Sequence, residues 1–181
     1  RKIMNKKTGR IVAIALLVAF LGWIVFTSLP MEDGKKDLPK GNGTVVKEYE
    51  PKFKKEGELW ITDSESQDTI KKVDIEIADN DSETQYGMMY RKHMDPNTGM
   101  LFLMKDERLQ SFYMKNTYVS LDIIYVNSDF EVVSIQRKSE PLNTRSLPSE
   151  GPALYVLEVI GGFSDTHGID KGDKIYFERT Q

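Results

Sequence analysis

The feature that most constrains this chain is a run of nineteen residues without a charge, residues 11–29. As a helix this run would extend about 28 Å, which is close to the hydrocarbon thickness of a bilayer. It is longer than the apolar region of a cleaved signal peptide, and its end, VFTS at residues 25–28, is a poor match to a small-x-small cleavage site. We therefore predict an uncleaved transmembrane anchor over residues 11–29.

The charges that flank this run predict its orientation. Five Lys or Arg residues lie in a basic flank, residues 1–10, and only three Lys residues follow closely after the run. The excess places the flank in the cytoplasm and the rest of the chain outside it, in the periplasm or its equivalent. Residues 30–56 combine Gly and Pro with many charges, which is typical of a flexible linker. A globular domain over residues 57–181 completes a single-pass protein of the cell membrane.

The composition argues against several functions. Beyond the basic flank, 20 basic residues stand against 28 acidic residues, a balance that disfavours nucleic acid as a partner. The chain has no Cys, which excludes disulfides, thiolate metal sites and a Cys nucleophile. It also lacks a phosphate-binding loop, a dinucleotide glycine fingerprint and a Gly-x-Ser-x-Gly nucleophile motif. The sequence therefore predicts no cofactor.

Short apolar segments separated by turn residues indicate the fold of the globular domain. Strands are predicted at residues 58–62, 70–78, 100–104, 111–114, 121–126, 130–136, 154–160 and 174–178. One clear helix begins at Asp81 or Ser82 and extends to about Lys92, and residues 161–167 form one helical turn. The pattern predicts an α+β, mostly-β domain with a small curved or barrel-like sheet and one main helix.

Residues 111–126 place polar side chains between two strand-forming runs, and further charged residues extend this group. A Lys near a carboxylate can bind an anionic ligand, or act as a general base if burial lowers its pKa. Alternatively, Asn and Thr satisfy backbone groups at a turn, Lys115 pairs with Asp122, and an Arg–Glu pair lies beside them. The candidate ligand-binding residues are Arg91, Lys115, Asn116, Thr117, Asp122 and Glu158.

Six of the eight Met residues lie within residues 88–114. Thioethers and an imidazole are soft ligands that suit Cu(I), so a copper site at Met88, Met89, His93 and Met94 is one interpretation. Met is also an adaptable filler of protein cores, and the apolar neighbours of these residues favour packing. The sequence therefore predicts no metal site as its main interpretation.

Several motifs together resemble those of a known family. They are YGMMYR at residues 86–91, GMLF at 99–102, FYMKNT at 112–117, LDII at 121–124, YVLE at 155–158 and GIDKGD at 168–173. In this order they resemble the bacterial and archaeal domain of unknown function 192, over about residues 72–179. The chain departs from the family at Ser120, where Pro is usual. The resemblance implies a small β-rich fold, often behind a signal or anchor, and brings no established reaction.

Three functions stay open on these grounds. The first is a membrane-tethered binding or accessory module that holds a small polar ligand or an envelope protein. The second is a hydrolase or lyase acting on envelope carbohydrate or peptide, which requires Lys115, Asp122 and Glu158 to converge in one cleft. The third is Cu(I) binding by the Met cluster. Because no recognisable catalytic pair is present, the sequence favours a binding module over an enzyme.

Overall fold

The computed structural model describes residues 50–180. The predictions for the basic flank, the transmembrane anchor and most of the linker fall on residues 1–49, outside the described residues. Within residues 50–180, no helix has the length and apolar character needed to cross a membrane.

Nine strands and two short helices form in this part of the chain. They are β1 (Gly57–Thr62), β2 (Thr69–Ala78), α1 (Asp81–Tyr86), β3 (Thr98–Arg108), β4 (Ser111–Phe112), β5 (Leu121–Val126), β6 (Val132–Ser139), β7 (Leu147–Pro148), β8 (Ala153–Ile160), α2 (Phe163–His167) and β9 (Lys174–Arg179). Seven strands form one sheet in the order β6-β5-β8-β3-β2-β1-β9, and β4 pairs with β7.

The large sheet curls into a half-barrel. Its strand pairs are antiparallel except for β2 and β3, which run parallel. An isolated bridge between Glu131 and Lys174 brings the start of β6 to β9, at the opposite end of the strand order. The prediction of a mostly-β domain with a curved, barrel-like sheet is therefore confirmed.

The main helix is shorter than predicted. Helix α1 ends at Tyr86 rather than near Lys92, because Gly87 takes φ 47° and ψ −129°, outside helical geometry. Its cap also differs, since the Asn80 side chain, not that of Asp81 or Ser82, accepts the Glu83 N–H at 3.0 Å. None of the six residues of α1 is buried, so the helix lies on the surface.

Alternation along the strands divides the core into two clusters, one on each face of the sheet. The first cluster receives apolar side chains from all seven strands and from the α2 region, as expected for the inner face of a curled sheet. The second cluster lies on the opposite face of β2, β3, β5 and β8, and it includes Met88 and Met114 from the connecting segments.

Asp122 holds three segments together on the inner face. The residue is fully buried, and its carboxylate accepts hydrogen bonds from the backbone N–H groups of Lys138, Gly162 and Ser164 at 2.7, 2.9 and 2.8 Å. These bonds join β5 to the end of β6 and to the start of α2. The predicted pairing with Lys115 is wrong, because Lys115 is exposed and the Asp122 oxygens bind backbone groups instead.

Replacing Asp122 by Ala should lower the free energy of unfolding by about 2–5 kcal/mol, because one buried and two partly buried N–H groups lose their acceptor. Asp122→Asn should cost less, since one oxygen acceptor remains. Urea denaturation followed by circular dichroism measures both. Asp129→Ala, at an exposed turn position, is the control. A loss below about 0.5 kcal/mol for Asp122→Ala would contradict this role.

Candidate functional site

A row of aligned residues crosses the outer face of the sheet. Glu76 of β2 pairs in register with Met100 of β3, Met100 with Glu158 of β8, and Glu158 with Ile123 of β5. Register partners on neighbouring strands project to the same face. The sheet therefore presents two buried carboxyl side chains, Glu76 and Glu158, with Met100 between them.

Glu158 is buried without a full set of partners. The residue is 4% exposed, and its Oε2 atom has no hydrogen-bond partner within residues 50–180. Burial raises the pKa of this carboxyl to about 8, although the positive charge of Arg91 acts in the opposite direction. Burial and the nearby Glu158 charge also raise the pKa of Tyr125 above its usual range. The neutral form of Glu158 is therefore favoured at neutral pH.

Glu76, by contrast, has a cationic partner. Arg91 Nη2 lies 2.7 Å from Glu76 Oε2, at an angle outside hydrogen-bond geometry, and both side chains are 9% exposed. Glu76 Oε1 accepts the backbone N–H of Lys54 at 3.0 Å. Arg91 therefore forms its ion pair with Glu76 and not with Glu158, so the predicted Arg91–Glu158 pair is wrong. Its charge still acts on Glu158.

A first cleft, with a volume of about 230 Å³, lies beside Glu158. Helix α1, the segment that follows it, β3 and β4 form its walls. Besides Glu158, its lining includes Met88, Met89, Phe102, Arg108, Gln110, Phe112, Tyr113 and Thr117. The lining thus combines apolar side chains with polar and charged ones in similar proportion.

A second cleft, of about 660 Å³, lies beside the Glu76–Arg91 pair. The two clefts share Tyr86, Gly87 and Met89, so this short segment forms a wall between them. A Cβ atom on Gly87 would lie 3.0 Å from the Phe102 ring and 3.7 Å from Glu158 Oε2. Together with its positive φ, this crowding requires Gly at position 87.

Asn116 fixes the chain that continues this wall. Its carbonyl accepts the backbone N–H of Tyr90 at 2.8 Å, and its Nδ2 donates to Tyr90 Oη at 2.9 Å. Both residues adopt left-handed backbone conformations, with φ 57° for Asn116 and 65° for Tyr90. Asn116 therefore serves in part to hold Tyr90 in place.

The structure separates the six candidate residues that the sequence suggested. Glu158 and Thr117 line the first cleft, and Arg91 lines the second. Asp122 lies on the other face of the sheet, because it immediately precedes Ile123, the register partner of Glu158. Lys115 is exposed, and Asn116 braces the wall. Lys115, Asp122 and Glu158 therefore do not converge in one cleft, as acid–base chemistry by these three residues requires.

Sequence reasoning missed Glu76 and Arg108. Glu76 alternates with apolar residues in β2, a pattern that is typical of a strand with one solvated face. Arg108 lies beyond the predicted end of its strand, because β3 continues to Arg108 rather than ending at residue 104. No local signal in the sequence distinguishes these two residues from ordinary surface charges.

The methionines lie mainly in the second core cluster. Met88 is buried there, and Met94 packs against it. Met88, His93 and Met94 line a third cleft together with Arg91, while Met89 lines the first and second clefts. Core packing is thus the role that the structure gives to Met88 and Met94.

Glu158→Gln should change the pH dependence of stability. Folding raises the pKa of Glu158, so its contribution to stability is complete below about pH 4.5 and is lost as the pH rises through about 8.

The charged or titratable groups around Glu158 are Arg91, Arg108, Tyr86, Tyr113 and Tyr125. The Gln variant should be more stable than the parent by about 1–4 kcal/mol at pH 9 and nearly equal at pH 4. Urea titrations at both pH values measure this, with the exposed Glu150→Gln as control. A difference that does not vary with pH would contradict the assignment.

Two solved structures are similar to this chain. A protein of unknown function from Novosphingobium aromaticivorans DSM 12444 is 33% identical, with a TM-score of 0.62, over 66% of this chain and 83% of that one. A protein from Sinorhizobium meliloti 1021, named "putative transcription regulator", is 32% identical, with a TM-score of 0.64, over 71% of this chain and 98% of that one. No curated protein matches the chain.

The family match covers most of the described domain. Residues 62–177 match the family model of DUF192, which is described as "Uncharacterized ACR". The sequence motifs predicted this family over about residues 72–179, and the match begins somewhat earlier, at the end of β1. Because the match spans more than half of the chain, this protein belongs to the DUF192 family.

Proposed function

We propose that this protein is a small-molecule-binding module of the cell envelope, and that the first cleft is its binding site. The observation that carries the proposal is the buried Oε2 atom of Glu158, which has no hydrogen-bond partner in the described part of the chain. A buried polar atom without a partner costs about 1–3 kcal/mol. A ligand that donates a hydrogen bond there would recover part of this cost.

The walls of the cleft are held in place before any ligand arrives. The Phe112 ring packs edge-on against Phe102, with 5.0 Å between ring centroids, and against Tyr125, with 6.1 Å. Gln110 is buried, and its side chain donates to the carbonyls of Asp106 and Ala153, both at 3.1 Å. Such prior ordering reduces the entropy that a ligand must remove on binding.

The envelope location rests on the sequence. The uncharged run at residues 11–29 and its basic flank support an anchor that holds the domain outside the cytoplasm. The acidic balance beyond the flank does not suit a nucleic-acid partner, because phosphate binding needs a basic surface.

Binding is preferred over catalysis for a structural reason. The hydrolase or lyase hypothesis needed acid–base groups from Lys115, Asp122 and Glu158 in one place. The first cleft contains only Glu158 from this set. A single carboxyl group with an elevated pKa can bind and orient a ligand without a second catalytic group beside it.

A ligand screen with a blocked cleft tests this function. Small neutral, cationic and anionic metabolites are added to the full chain in mild detergent, and binding is detected as an increase in melting temperature. For each ligand found, Ser111→Trp should weaken binding at least tenfold, because Ser111 lines the first cleft and Trp would fill it.

Thr144→Trp is the matched control, since Thr144 is exposed and does not line the first cleft. It should leave the affinity unchanged. The proposal fails if no ligand stabilises the protein, or if the ligands bind the Ser111→Trp variant as tightly as the parent.

A further inference from the structure

One acidic and one basic side chain line the first cleft. They are Glu158 and Arg108, and the other residues of the lining are uncharged. Glu158 is buried at the sheet, whereas Arg108 is exposed at the end of β3. One cleft therefore combines a buried acid with an exposed base.

Neither Glu158 nor Arg108 forms an ion pair in the described part of the chain. The Oε2 atom of Glu158 has no hydrogen-bond partner within residues 50–180. The positive charge of Arg91 acts on Glu158, but Arg91 forms its ion pair with Glu76. The cleft thus retains one acidic and one basic position for a ligand.

The register of β3 and β8 sets the spacing of these two positions. Arg108 is the partner of Ala153, and Met100 is the partner of Glu158, so the two levels lie five residues apart along β8. That separation is roughly 16 Å between backbone levels. Both side chains nevertheless line the same cleft, whose volume of about 230 Å³ suits a molecule of amino-acid size.

The walls suit a ligand with a cationic group. Phe102, Phe112 and Tyr113 bring aromatic rings to the cleft, and Met88 and Met89 bring thioethers. Aromatic rings attract ammonium groups through their quadrupoles, and Glu158 supplies the opposite charge once its carboxyl group has lost its proton. At the exposed end, a guanidinium matches the planar geometry of a carboxylate.

From this arrangement we propose that the ligand is a small zwitterion of amino-acid size, with its ammonium group at Glu158 and its carboxylate at Arg108. The inference rests on the proposed function and specifies its ligand class. Binding would require the Glu158 carboxyl to give up its proton to the solvent, since the ammonium group is already protonated. Arg91, Arg108, Tyr86, Tyr113 and Tyr125 are the other charged or titratable groups near this carboxyl.

Isothermal titration calorimetry on the full chain in mild detergent tests the inference. The probes are leucine, 4-aminobutyrate and 6-aminohexanoate, which vary the distance between the two charges. Two analogues of leucine serve as references: 3-methylbutylamine lacks the carboxylate, and 4-methylpentanoate lacks the amine. At least one zwitterion should bind tenfold more tightly than either reference. Titrations at pH 7 in two buffers of different ionisation enthalpy should show the release of up to one proton.

Single substitutions assign the two ends of the ligand. Glu158→Gln should weaken both the zwitterion and the amine at least tenfold and abolish proton release. Arg108→Gln should weaken the zwitterion about tenfold and leave the amine unchanged. The exposed substitutions Glu150→Gln and Arg145→Gln are the matched controls and should alter neither affinity.

Two results would overturn the inference: no zwitterion binds more tightly than 3-methylbutylamine and 4-methylpentanoate, or the Glu158 and Arg108 variants bind it like the parent. If neutral ligands bind and Ser111→Trp blocks them, the zwitterion is wrong and the binding function stands. If no ligand is sensitive to Ser111→Trp, both proposals fail.

Discussion

The alternation of side chains along β5 and β8 determines what each buried carboxyl group can do. Glu158 is the register partner of Ile123, so Asp122, one residue earlier, must project to the other face. On that face the chain supplies three backbone N–H donors, and Asp122 becomes a structural tie. On the outer face Glu158 lines a cleft, and its Oε2 atom has no hydrogen-bond partner among residues 50–180. The carboxyl group of Asp122 therefore has hydrogen-bond partners on both oxygens, whereas that of Glu158 has an oxygen without a partner.

The unpartnered carboxyl group of Glu158 matters because the first cleft lies beside it. Gly87, which has a positive φ, brings the backbone so close to Phe102 that a Cβ atom would lie only 3.0 Å from its ring. Asn116 and Tyr90, both with positive φ, brace the residues that follow. A wall built in this way separates the Glu158 cleft from the Glu76–Arg91 cleft. We interpret this local strain as part of what keeps the cleft formed, since such conformations persist only where the surrounding contacts require them.

Much of the fold follows from local sequence patterns. The period-two alternation in β2 and the apolar run of β5 placed those strands within one residue of their observed bounds. The site was harder to predict, because sequence distance does not report which face a residue occupies. Lys115 and Asp122 are close in the chain yet do not pair, whereas Arg91 finds Glu76, a residue that resembles a surface position in β2. The face that Asp122 occupies in β5 determines the first outcome, and the tertiary placement of Arg91 determines the second.

The central claim is that Glu158 is a buried carboxyl group without a compensating partner, poised beside a cleft. The most direct test is an NMR titration of its side-chain carboxyl carbon in the ligand-free protein, assigned with the Glu158→Gln variant. The structure predicts a midpoint at about pH 8. A midpoint near the ordinary value of 4.5 would show that the carboxyl group is solvated or paired, and would contradict the account.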